Sequence, residues 1–173
     1  MNKQLFAKLA LIALAAGAAA AHAATATSTF QVQMTITSSC AVTTAPTNIN
    51  LGSFVATTST LTTATGSTTF KVNCSNKTPF TVGLAPSAGN GGTAVGTGNM
   101  LGGTNGDKVP YTLYSNSGLT TAWGNTAGTN TVAGTGAGMA STNAASFTAY
   151  AKATSADFAP DSYADTVTVN VNY

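Results

Sequence analysis

Hydrophobic and polar residues alternate one for one in several stretches of the chain. Phe30, Val32, Met34 and Ile36 are separated by Gln31, Gln33 and Thr35 and followed by Thr37. Phe70, Val72 and Cys74 are separated by Lys71 and Asn73; Phe80, Val82 and Leu84 alternate after a Lys77-Thr78-Pro79 turn; Val167, Val169, Val171 and Tyr173 alternate to the last residue. A period of two places one set of side chains on each face of an extended strand. After Cys40-Ala41-Val42, the same reading predicts strands at 49–55 after a turn at Pro46, at 109–115 with Tyr111, Leu113 and Tyr114, at 119–123 as a possible partner for it, and at 147–151. Residues 86–106 and 124–138 are glycine-rich and read as loops. After residue 23 no window sustains a 3.6-residue apolar period over three turns. The pattern predicts an all-β domain, and strands at this spacing predict a sandwich.

Composition agrees with order rather than disorder. Residues 24–173 hold 33 Thr, 14 Ser and 13 Asn. Thr is β-branched and fits a pleated strand, whereas Ser, Asn and Gly belong in turns. The chain is 43% hydrophobic, more than disordered segments usually carry.

The first 23 residues have the layout of an export signal. Lys3 and Lys8 precede an apolar run over 9–21 that ends in Ala21-His22-Ala23, a small-x-small cleavage pattern. The run is too short to span a bilayer as a helix, so no stable membrane insertion is expected. Removing it leaves 173 − 23 = 150 residues, enough for one domain. Lys71, Lys77, Lys108 and Lys152 then balance Asp107, Asp157, Asp161 and Asp165, so the net charge of +2 falls to zero. A neutral chain has no electrostatic footprint for nucleic acid or for an anionic membrane surface.

Charge also narrows the chemistry. Residues 24–173 contain no Arg, Glu or His, which excludes a histidine triad, a histidine zinc site and a glutamate general acid. The sequence therefore points away from an enzyme and calls for no cofactor and no metal. Asp157, Asp161 and Asp165 are spaced by four, but Pro160 and Tyr163 interrupt the close alternation of a calcium loop; a solvated turn is expected there. Gly106-Asp107-Lys108-Val109 lacks the ending of a phosphate loop. Trp123 is expected in the core or half-buried rather than as a sugar platform. Cys40 and Cys74 are two thiols on an exported chain, the setting in which a lone pair closes one disulfide.

Both ends of the expected mature chain carry clean amphipathic strands, and neither has the charges or prolines that guard a sheet edge. An ordinary inner strand would explain either one; donation of an end strand to another molecule would explain both.

The order of motifs resembles the spore coat U domain family, which includes the Csu-type subunits of archaic chaperone–usher pili. The alternating strand at Phe30–Ile36 is followed by Cys40-Ala41-Val42, Val72-Asn73-Cys74, Val109-Pro110-Tyr111-Thr112-Leu113-Tyr114, Trp123-Gly124 and Tyr163-Ala164-Asp165-Thr166-Val167. The resemblance implies an incomplete immunoglobulin-like sandwich completed by donor-strand exchange. Residues 24–38 would be the donor segment, with Phe30, Val32, Met34 and Ile36 as its inserted face, and 39–173 the sandwich domain. The bridge would be Cys40–Cys74, and Val167, Val169, Val171 and Tyr173 would line the acceptor groove. Implied partners are identical or related pilin subunits, a periplasmic chaperone and an outer-membrane usher, on a route from periplasm to a surface pilus of a Gram-negative cell. Tip adhesins of the family have two domains, so 150 residues fit a shaft or minor subunit in a pilus that supports adhesion and biofilm formation. The alternatives are a secreted coat or matrix protein of the same fold, and a carbohydrate-binding sandwich.

The exported protein should carry no free thiol: alkylation after denaturation without reductant, read by mass spectrometry, should label neither cysteine. Replacing Cys40 or Cys74 by Ser should lower stability by about 3–4 kcal/mol in chemical denaturation.

Overall fold

A computed structural model describes residues 24–61 and 64–173. The expected export signal lies outside the described residues. The chain divides into two units, Met1–Thr35 and Ile36–Tyr173. In the first, the described residues 24–35 form no helix or strand and their side chains are exposed. Among the described residues no helix is long and apolar enough to cross a membrane.

The second unit contains β1 (Cys40–Thr44), β2 (Thr65–Cys74), β3 (Pro79–Pro86), β4 (Thr97–Gly102), β5 (Lys108–Tyr114), β6 (Val132–Thr135), β7 (Ala145–Ala153), β8 (Tyr163–Ala164) and β9 (Val167–Asn172). They form two antiparallel sheets, one of six strands in the order β1-β2-β7-β5-β4-β8 and one of three in the order β6-β3-β9. The all-β class read from the alternation is the class observed.

The alternating residues meet between the sheets. Phe70, Val72 and Cys74 of β2, Tyr111 and Leu113 of β5, and Phe147, Ala149 and Ala151 of β7 face Phe80, Val82 and Leu84 of β3. Phe70 and Phe147 oppose each other across the β2–β7 ladder with ring centroids 5.7 Å apart. Trp123 joins the layers: its ring lies 5.9 Å from that of Phe70, and its indole N–H donates to the Val82 carbonyl at 2.9 Å. A buried indole needs such a partner, and here a backbone group of the opposite sheet supplies it.

The structure corrects the sequence reading in four places. Residues 49–55 form no strand. The Asn50 side chain accepts the Gly52 N–H at 2.9 Å, Gly52 turns with φ 103°, and the alternation of Ile49 and Leu51 stops there. Among the described residues, Phe30, Val32, Met34 and Ile36 lie in no strand, since nothing there pairs with their backbone. The expected 119–123 strand reduces to a single bridge, Tyr114 to Ala122, because the chain turns at Leu119 with φ 54° and then inserts Trp123 into the core. Finally, both glycine-rich segments contain strands, β4 and β6. Gly98 of β4 lies opposite Tyr111, whose ring occupies the space a side chain would need, so the aromatic on β5 covers the glycine on its neighbour.

Trp123→Ala removes the contact that ties the two layers. It should destabilise the domain by about 3–5 kcal/mol in urea unfolding, against a few tenths for an exposed position such as Thr58.

Candidate functional site

Three strands cover six, and the cover stops at β9. Among the described residues that strand pairs with β3 alone, from Pro86↔Val167 to Thr81↔Asn172, and its other edge has no ladder. Val167, Val169 and Val171 are half-buried against the core while Thr168 points away. An apolar strand with one side of its backbone unpaired is a template for another strand.

Beside this edge runs a groove of about 540 Å³. Val167 and Val169 form one wall, residues 46–51 the other, and Phe70, Leu84, Leu113 and Ala151 the floor. A second hollow of about 800 Å³ adjoins it, lined by Leu51, Phe54, Leu61, Val109, Phe158 and Tyr163 among others. Ile49, Leu51 and Met100 border both. The wall at 46–51 has no ladder; the Thr47 N–H donates to Thr68 Oγ1 at 2.9 Å and the two hydroxyls lie 3.2 Å apart.

Polar groups fix the end of the groove where β9 begins. The Tyr111 hydroxyl donates to Asp165 Oδ2 at 2.7 Å, and Asn90 Nδ2 donates to Asp165 Oδ1 at 2.7 Å. Burial first, then the hydrogen bond and negative charge of Asp165, push the Tyr111 hydroxyl far above the ordinary phenol range. The neutral hydroxyl is the donor of this bond, which pegs the corner between β8 and β9 to β5. Four residues upstream, Asp161 holds the turn after β4. Its Oδ2 accepts the Thr104 N–H at 2.8 Å, the Thr104 hydroxyl at 2.9 Å and the Asn105 N–H at 3.0 Å, and its Oδ1 accepts the Ser162 N–H at 2.7 Å. Those backbone donors lower its pKa from 3.8 to about 2.

The structure places the expected residues as follows. Cys40 and Cys74 are bonded, with Cα atoms 4.0 Å apart across the β1–β2 ladder. Val167 and Val169 line the groove, Val171 packs against the core further along the strand, and Tyr173 is exposed and outside the lining. Phe30, Val32, Met34 and Ile36 are between 77 and 88% exposed. That is unusual for four large apolar side chains in a row of alternate positions. The wall at 46–51 and the Tyr111–Asp165–Asn90 peg were not read from the sequence as parts of a site. The only signal for the peg was the Tyr-x-Asp-Thr-Val ending at 163–167.

A two-sheet antiparallel sandwich with an apolar edge strand paired on one side defines an immunoglobulin-like fold. The chain belongs to the spore coat protein U domain family, whose model matches residues 26–170. Comparison with curated proteins returns no match. Among solved structures, the fold is similar to one in the CsuC–CsuE chaperone–tip adhesion subunit pre-assembly complex from the archaic chaperone–usher Csu pili of Acinetobacter baumannii. Identity is 20%, the TM-score is 0.52, and the match covers 80% of this chain but 41% of that one. The present chain thus spans less than half the length of that neighbour, and the likeness is one of fold.

Asp161 gives a pH signature. Its carboxyl is depressed in the folded state, so the stability it adds is complete above about pH 4 and is lost as pH falls from 3.8 toward about 2. The melting temperature of the native protein should therefore fall more steeply across that window than that of Asp161→Asn, which lacks the titrating group.

Proposed function

We propose that the chain is a structural subunit of a surface pilus assembled by the chaperone–usher route, supporting adhesion and biofilm formation. In this reading 24–38 is the donor segment and 39–173 the acceptor domain. The observation that carries it is the pairing, on one chain, of an unladdered valine edge above an apolar groove with a fully exposed alternating apolar segment. Family membership and the fold shared with a chaperone-bound pilus subunit support the same reading.

The chemistry is that of strand addition. An incoming strand satisfies the open edge of β9 with backbone hydrogen bonds, and every second side chain enters the groove. Burying Phe30, Val32, Met34 and Ile36 contributes about 1.5–3 kcal/mol each. Before a second subunit arrives, a periplasmic chaperone would protect the same edge, and an outer-membrane usher would catalyse the exchange. The family's name favours one second reading, a coat or matrix protein that joins its neighbours by the same contact. Purification from periplasm separates the two: a pilus subunit should come off with a chaperone in equal amounts, and a coat protein without one.

Met34→Asp places a charge where the proposal has a dry groove. It should abolish fibres, seen by electron microscopy and by loss of the heat-stable ladder on gels, while leaving a folded subunit that still binds chaperone. Deleting 24–37 should do the same. Fibres built by the deleted protein would contradict donation by this segment.

A further inference from the structure

The disulfide closes a loop of 34 residues, and that loop contains β1, the unladdered segment after it and most of β2. Ile36, the last apolar residue of the exposed segment, precedes the loop by four positions. In a fibre joined as proposed above, tension on a subunit enters through this segment and reaches Cys40. From there two routes are open. One follows the backbone through residues 41–73; the other crosses the sulfur–sulfur bond to Cys74.

The first route is weak. β1 is an edge strand of five residues, four of them with exposed side chains, and its register is already irregular between Val42 and Thr44. Behind it comes the groove wall at 46–51, tied to β2 through Thr47 and Thr68. Peeling β1 would drag that wall outward and open the groove against β9, releasing the strand held there. The second route ends in the best-held strand of the domain. Cys74 is fully buried in the core, and β2 pairs with β7 at eight successive positions, Thr65↔Lys152 to Val72↔Ala145. Just outside the bridge, Ser39 donates its N–H to Ser75 Oγ at 2.9 Å and accepts the Ser75 N–H at 2.8 Å, so the entering chain is clamped where the covalent bond takes over.

We propose that the Cys40–Cys74 bridge is a load bypass: it carries tension from the N-terminal segment directly into β2 and keeps residues 41–73, including one wall of the acceptor groove, free of force. The mechanical part concerns the domain alone; its use in a fibre rests on strand donation.

Single-molecule pulling on the exported protein, with handles at Ala24 and Tyr173, tests the mechanical part. With the bridge intact, the first event should be the main rupture. After reduction of the folded protein, an early step should precede it at about half the force or less, since forced opening follows the barrier of the element that carries the load. The total released length should also grow by about 120 Å, from 34 freed residues. An early step should also appear with the bridge intact when one handle is moved inside the loop beyond the groove wall, through Val55→p-azidophenylalanine, because both arms from there to the bridge then cross residues of the loop. That variant keeps both cysteines and a position already exposed. A reduced protein that ruptures in one step at the oxidised force, or a Val55 handle that meets full resistance, would overturn the bypass. Fibres held under tension should come apart several-fold faster after reduction and at an unchanged rate at rest; equal lifetimes under tension would also overturn it. If no fibres form while both pulling results hold, strand donation is what has failed, and the bridge has no such load to carry.

Discussion

The backbone of β9 is hydrogen-bonded on one side only, and most of what distinguishes this domain follows from that. A strand with an apolar face and an open edge exposes valines and leaves peptide groups to water or to another strand. The rest of the molecule holds this edge in a defined place. Tyr111 and Asn90 peg Asp165 at the start of β9, the β3 ladder runs along its paired side, and Thr68 holds the opposite wall at Thr47. The groove is thus a shaped slot with a rigid floor of Phe70, Leu84 and Leu113. In the proposed exchange, an entering strand would meet pockets already formed, so less ordering entropy would be lost on binding.

Recognition in such a slot depends little on charge. Four lysines and four aspartates in 150 residues leave no strong field, and Asp161 and Asp165 are occupied with the domain's own loops. In the proposed exchange, affinity would come from backbone hydrogen bonds and buried apolar area, and register from the spacing of alternate side chains. A one-residue slip would turn Gln31, Gln33 and Thr35 into the groove and the apolar set to solvent.

Much of this was legible in the sequence where side chains are large. β2, β3, β5, β7 and β9 follow alternating Phe, Val, Leu, Tyr and Ala positions, because a half-buried strand imposes a period of two on the residues that pack. β4 and β6 escaped because their core-facing positions include Gly98 and Gly134, where rings from Tyr111 and Phe80 fill the space. The pattern signals a strand through bulk, and here the bulk sits on the neighbouring strand. Residues 49–55 carried the pattern without a ladder, since Asn50 and Gly52 make a turn that a hydropathy reading does not register. The groove itself joins residues 46–51 to 163–169, more than a hundred positions apart, and only folding brings them together. Nor does alternation tell a core strand from an exposed segment: Phe30–Ile36 and Phe80–Leu84 read alike, and exposure separates them.

The central claim is that the open edge of β9 accepts the alternating segment of another copy. The most direct measurement adds a synthetic peptide of residues 28–37 to the chain lacking 24–37 and follows melting temperature and stoichiometry. One peptide should bind per domain and raise the melting temperature by many degrees, while a peptide with each apolar residue exchanged for its polar neighbour should do nothing. If the native-order peptide leaves the melting temperature unchanged at saturating concentration, the groove beside β9 is not the acceptor and the account fails.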